Sequence, residues 1–238
     1  LDFREERGEG KAVVIRLQNA ERTAEIHVKL SITKGYPGYS CVVQFKNRTG
    51  DAVKIDSIDP FVIDVDDATR VYTGRKAQNL RFFKNGYHSW ELSQALEITK
   101  GRNVSHYYSV LHNTESGNSI GLGFVTLADQ HPRIMFFGRD EEERRLAQIA
   151  TSCSTDGVAV ENNATIMSEE LLVTVGKDPK ECLDMYLGTL ARRMQAVSWD
   201  EVPTGWCSWY FYYVMPDEEE ILKNITFLED RYPEIGWI

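Results

Sequence analysis

The chain has 238 residues, room for one large domain and the start of a second. Its 42% apolar and 26% charged residues and mean hydropathy of -0.38 exclude a disordered chain and one built around a membrane helix. A net charge of -9 repels phosphate backbones and anionic lipid, so neither nucleic acid nor a membrane is an expected partner.

From Lys11 to about Val175 the sequence reads as short strands. Ala24, Ile26, Val28, Leu30 and Ile32 alternate with Glu25, His27, Lys29 and Ser31, which predicts a half-buried antiparallel strand with the second set on its wet face. Further strands are predicted at KAVVIRLQ, YSCVVQFK, AVKIDSIDPFVIDV, SIGLGFVTL, PRIMFFG and ATIMSEELLVTV, separated by Gly, Asn, Asp and Pro clusters. Residues 1–177 are therefore expected to form a large antiparallel β-sandwich.

At Asp178 the pattern changes. Asp178-Pro179-Lys180-Glu181 supplies an N-cap, a proline at the first helical position and a glutamate three residues after the cap. Leu183, Tyr186, Leu187, Leu190, Ala191, Met194 and Val197 follow at helical spacing, predicting a linker helix within 178–202. In 203–238, GWCSWYFYYV suits a buried strand, Pro216-Asp217-Glu218-Glu219-Glu220 a second capped helix, and Glu234–Ile238 the entry to another strand. A parallel strand needs neighbours on both sides, so this βαβ unit must be completed by further residues or by a partner chain.

Six aromatics crowd into 206–213: Trp206, Trp209, Tyr210, Phe211, Tyr212 and Tyr213. Core packing explains Trp206 and Phe211. Tryptophan and tyrosine at the end of the run carry N–H and O–H groups that need partners, and a flat indole beside polar tips suits a sugar. A second cluster, Asn85-Gly86-Tyr87-His88-Ser89-Trp90, reads either as a tight turn presenting its side chains or as a hairpin tip with Trp90 folded onto the sandwich.

Other chemistries find little footing. The five histidines, His27, His88, His106, His112 and His131, lack ligand spacing, so no metal is predicted, and no nucleotide or flavin fingerprint is present; Gly121-Leu122-Gly123 lacks the helix that would give it meaning. No cofactor is expected. Asp64, Asp66 and Asp67 form the densest acidic group outside helices, but such runs are usually solvated turns. The runs at 140–145 and 217–220 read as solvated surface and helix N-terminal charge. Cys41, Cys153, Cys182 and Cys207 form no CxxC pair and read as reduced thiols of a cytoplasmic protein. Secretion stays open, because the chain begins at Leu1 and carries sequons at Asn47, Asn103, Asn163 and Asn224.

PTGWCSWYFYY at 203–213, with the acidic capped helix and EIGWI after it, resembles the first barrel strand, first helix and entry to the second strand of family 36 glycoside hydrolases, the α-galactosidase group. NGYHSW at 85–90 resembles a motif in the N-terminal β-domain of the same family. The resemblance implies a β-sandwich, a linker helix and a truncated (β/α)8 barrel that binds a terminal α-galactosyl group. It implies that Trp209 and Tyr210 line the galactose pocket, that Trp90 closes over it, and that Tyr87 and His88 support the loop. The family's catalytic aspartates would lie beyond Ile238, leaving no catalytic residue here and the isolated chain inactive. Its partners would be an α-galactoside oligosaccharide and the rest of the barrel, or an oligomer partner covering the C-terminal strand. A raffinose-type galactosyltransferase is a variant of this reading; a non-catalytic carbohydrate-binding or assembly β-sandwich is the alternative.

Overall fold

The computed structural model describes residues 2–5, 8–65, 77–139, 145–197 and 205–232. The chain divides into two units, 1–196 and 197–238. The first holds fourteen strands among its described residues: β1 (Asp2–Glu5), β2 (Gly8–Gln18), β3 (Ala24–Thr33), β4 (Gly38–Asn47), β5 (Val53–Asp64), β6 (Leu80–Lys84), β7 (Gln94–Glu97), β8 (Gly101–His106), β9 (Tyr108–Asn113), β10 (Ser119–Phe124), β11 (His131–Gly138), β12 (Leu146–Val160), β13 (Thr165–Met167) and β14 (Leu171–Gly176). Helix α1 (Pro179–Arg193) follows.

One antiparallel sheet runs β1-β2-β3-β4-β14-β10-β9-β6-β7, with β13 also on β4; the other runs β11-β12-β5. Leu80, Phe82, Leu111, Leu122, Phe124, Leu171 and Val173 of the large sheet meet Ile134, Phe136, Leu146, Ile149 and Cys153 of the small one in a single apolar core. The β-sandwich expectation is met to that extent. Pro60 interrupts the donor row of β5 without harm, because β5 is the edge of the small sheet.

The capping signal at Asp178 works as read: its carboxylate accepts the Lys180 amide and Pro179 opens α1. The helix packs on the outer face of β10, β14 and β9 and falls within the first unit. Tyr108, Val110, Val125, Leu172, Cys182 and Tyr186 form a second apolar cluster there. The middle of the large sheet is thus buried on both faces, which is why SIGLGF and LLVT read as unbroken runs. Gly121 and Gly123 gain their meaning here. A Cβ on Gly123 would collide with the Tyr186 ring, and one on Gly121 with the Thr174 hydroxyl.

Two sequence expectations are corrected. On β3, Ile32 is 58% exposed while Ser31 and Thr33 are buried. Ile26, Leu30 and Ile32 lie on the core-side face, but the small sheet is only three strands wide and leaves this flank open. Ser31 aligns through Ser40 with Leu172, on the face that α1 covers. Second, 205–214 forms no strand. It carries a single turn, α2 (Trp209–Tyr212), with its aromatics mostly exposed. A strand there would need neighbours for its backbone groups, and no described strand pairs with it. Helix α3 (Glu218–Arg231) does form, with the Asp217 carboxylate accepting the Glu220 amide. The expected strand at 234–238 and the aspartates Asp66 and Asp67 lie outside the described residues, as do 140–144.

Candidate functional site

The motif at 85–90 occupies the loop joining β6 to β7, whose last pair is Lys84 with Gln94. Polar bonds at its base hold its shape. Asn85 accepts from Ser93 Oγ at 3.1 Å and donates through Nδ2 to the His106 carbonyl at 3.0 Å. The His106 amide donates back to the Asn85 carbonyl at 3.1 Å. Glycine is required at 86 because a Cβ would strike the Glu91 carbonyl. The Glu91 carboxylate takes the Tyr87 amide at 2.9 Å and pairs with Lys84 at 2.5 Å, interactions that hold its pKa down at about 2, the lysine foremost.

These bonds present Tyr87, His88 and Trp90 as a graded row of rings. The Trp90 indole is 78% exposed and T-shaped to His88 at 5.8 Å. His88 is edge-on to Tyr87 at 5.8 Å, and its Nδ1 accepts the Trp90 amide at 3.3 Å. Trp90 is therefore not folded onto the sandwich, and the hairpin-tip reading holds only for the backbone.

Behind Tyr87 lies a group that spacing could not reveal. His106 ends β8 and His131 begins β11, twenty-five positions on, and the two strands pack side by side. His106 Nδ1 and His131 Nε2 are 2.8 Å apart, and the Tyr107 hydroxyl is 3.2 Å from His131 Nδ1. Tyr87 stands edge-on to His131 at 4.7 Å and tilted to His106 at 5.2 Å. Desolvation, with Arg133 nearby, lowers the His131 pKa, and desolvation together with the neighbouring imidazole lowers that of His106. The arrangement sets an exposed indole near ring nitrogens and a tyrosine hydroxyl, with the rings mostly edge-on to one another.

In the second unit, Trp209 and Tyr210 are consecutive on α2, 45% and 84% exposed. Trp209 meets Tyr213 at 6.1 Å, and the Tyr212 hydroxyl accepts from Asn224 Nδ2 at 2.8 Å, tying α2 to α3. Asp64 accepts from Gln148 Nε2 at 2.7 Å. Among the described residues no group of three or more His, Cys, Asp or Glu could hold a metal ion, and no helix is long and apolar enough to cross a membrane.

The sequons divide by burial. Asn47 and Asn103 are buried, with Nδ2 donating to Asp51 and Val160 carbonyls in the first case and to Thr99, Gly101 and Phe136 carbonyls in the second. Neither amide is reachable in the folded chain. The cysteines divide likewise: burial pushes Cys41 up to about 11, Cys153 up to about 12 and Cys182 upward, while Cys207 is exposed. A disulfide-exchange reagent at pH 8 is expected to label Cys207 promptly in the native protein and the other three only in denaturant; prompt labelling of Cys153 by mass mapping would contradict the structure.

No protein-family model matches the chain, and no curated protein matches its sequence. Its fold is similar to that of the α-galactosidase from Lactobacillus brevis, with a TM-score of 0.63 and 12% identity over 97% of this chain and 32% of that one. It is also similar to the family 36 α-galactosidase AgaA from Geobacillus stearothermophilus, with a TM-score of 0.57 and 10% identity over 93% of this chain and 32% of that one. A variant of AgaA in complex with stachyose gives 0.56 and 11%, over 90% and 31%. At such identities the likeness is one of fold. The chain spans about a third of the length of these enzymes.

Proposed function

We propose that this chain is the β-sandwich portion, with the entry to the catalytic barrel, of an α-galactosidase-like retaining glycoside hydrolase that releases terminal α-galactosyl groups from oligosaccharides. The observation that carries the reading is the fold likeness to α-galactosidases over nearly the whole chain. The exposed indole of Trp90 on its braced loop supports it. In this reading Trp209 and Tyr210 line the galactose pocket, Trp90 closes over it, and Tyr87 and His88 brace the loop. The chemistry needs two carboxyl groups about 5 Å apart, one attacking the anomeric carbon to form a glycosyl ester and the other protonating the leaving oxygen. Both come from outside this chain. Water then cleaves the ester; a sugar hydroxyl in its place would make the enzyme a transferase.

The test is the polypeptide that carries this chain together with its barrel, assayed with 4-nitrophenyl α-galactoside. Hydrolysis with release of the α-anomer first is expected. Trp209→Ala and Trp90→Ala should each lower kcat/KM by about tenfold or more, the ratio that ~1.4 kcal/mol of lost stacking produces. Wild-type kinetics in both variants would remove these residues from the pocket. An inactive polypeptide whose isolated sandwich binds galactosides would instead mark a non-catalytic carbohydrate-binding module.

A further inference from the structure

We infer that His106 and His131 form an acid-opened latch on the loop 85–93, closed while either ring is neutral and released when both carry a proton. The inference concerns the loop itself and stands whether or not the loop serves a galactoside.

The geometry sets a direction for the protons. His106 Nδ1 and His131 Nε2 face each other at 2.8 Å, so one must hold a hydrogen and the other a lone pair. With both rings neutral, the Tyr107 hydroxyl can donate to His131 Nδ1 and His131 Nε2–H to His106 Nδ1. One added proton keeps the contact as a charge-assisted bond. A second puts hydrogen on both facing nitrogens and like charge on both rings, and attraction becomes repulsion.

The loop is fastened to this pair. Tyr87 packs on both imidazoles, and Asn85 exchanges two hydrogen bonds with the His106 backbone. Tyr107, the single residue between β8 and β9 and next to His106, has φ of +66°, a region an aromatic residue occupies only where its surroundings impose it. Its amide donates to the Pro132 carbonyl and its carbonyl accepts from the Phe124 amide, which pins the junction.

Charges from every side bear on the pair. Lys84 from β6 and Arg133 from β11 oppose protonation, while Glu91 from the loop and Asp156 from β12 favour it. Burial leads the balance and favours the neutral rings in the closed form, so the open form binds more protons. The latch is fully closed above about pH 6.5, the ordinary histidine value, and weakens as pH falls below it.

The test is amide hydrogen exchange of the full protein between pH 7.5 and 5, expressed as protection relative to intrinsic rates. Protection at Tyr87 is expected to fall at least tenfold while 119–124 stays protected. His131→Gln, which keeps a neutral N–H donor, should flatten that response. A response persisting in this variant would not depend on the facing pair and would overturn the latch. Simultaneous loss of protection at 119–124 would make the event global acid unfolding and also overturn it. Ring-proton NMR of the wild type decides independently of how the variant folds: two coupled steps below about pH 6.5 support the latch, and two independent titrations at the ordinary value refute it.

Discussion

Gly123→Ala is expected to destabilise the first unit by about 1–3 kcal/mol, the range for forcing an extra methyl into a packed site. Gly123 lies on the face of β10 that receives α1, and its Cβ would meet the Tyr186 ring, with the Tyr108 ring also too close. Tyr186 cannot move aside easily. It stacks on Tyr108 with centroids 4.3 Å apart, and its hydroxyl donates to the Phe124 carbonyl at 3.1 Å. Urea denaturation should show a lower midpoint at unchanged slope. In a Tyr186→Ala background the added cost of Gly123→Ala should shrink without vanishing, because Tyr108 remains. Equal costs in the two backgrounds would mean that the helix does not dock where the structure has it.

Phe136→Ala should cost more, about 3–5 kcal/mol, as expected for a buried phenylalanine reduced to a methyl. Phe136 is completely buried, with its ring 5.4 Å from that of Phe82 across the sandwich. Its backbone carbonyl also accepts from Asn103 Nδ2 at 3.0 Å, so the same residue anchors the turn that leads into β8 and, at its end, His106. Loss of the ring removes apolar contacts from both sheets, while the backbone carbonyl that holds Asn103 is kept in the variant. A cost below 1 kcal/mol in the same denaturation experiment would contradict the sheet-on-sheet core.

The segments of β2 to β5, β10, β11, β13 and β14, the helix start at Asp178 and the second start at Asp217 were legible because their signals are local, whereas β1, β6 to β9 and β12, the middle strand of the small sheet, were not predicted. Alternation, a capping carboxylate and a proline at the first turn act within a few residues of themselves. The loop at 85–90 was legible as a connection between strands, although Asn85-Gly86 forms no tight turn and the connection runs over 85–93. Even there, only the structure shows Trp90 standing out from the sandwich. The run at 205–214 failed the same logic, since apolar density marks a segment that wants burial but does not say whether strand neighbours exist to take it.

What the amino-acid sequence determines by itself is the mostly antiparallel β character of the described residues from Lys11 to about Val175, the two capped helices and the aromatic composition of the two candidate site segments. Tertiary structure alone decides which faces are covered. It sets Ile32 in solvent and Ser31 inside, because a three-stranded sheet cannot span its larger partner and α1 covers the opposite side. It also joins His106 to His131, since a hydrogen bond between side chains twenty-five residues apart depends on which strands lie together and no local pattern encodes that.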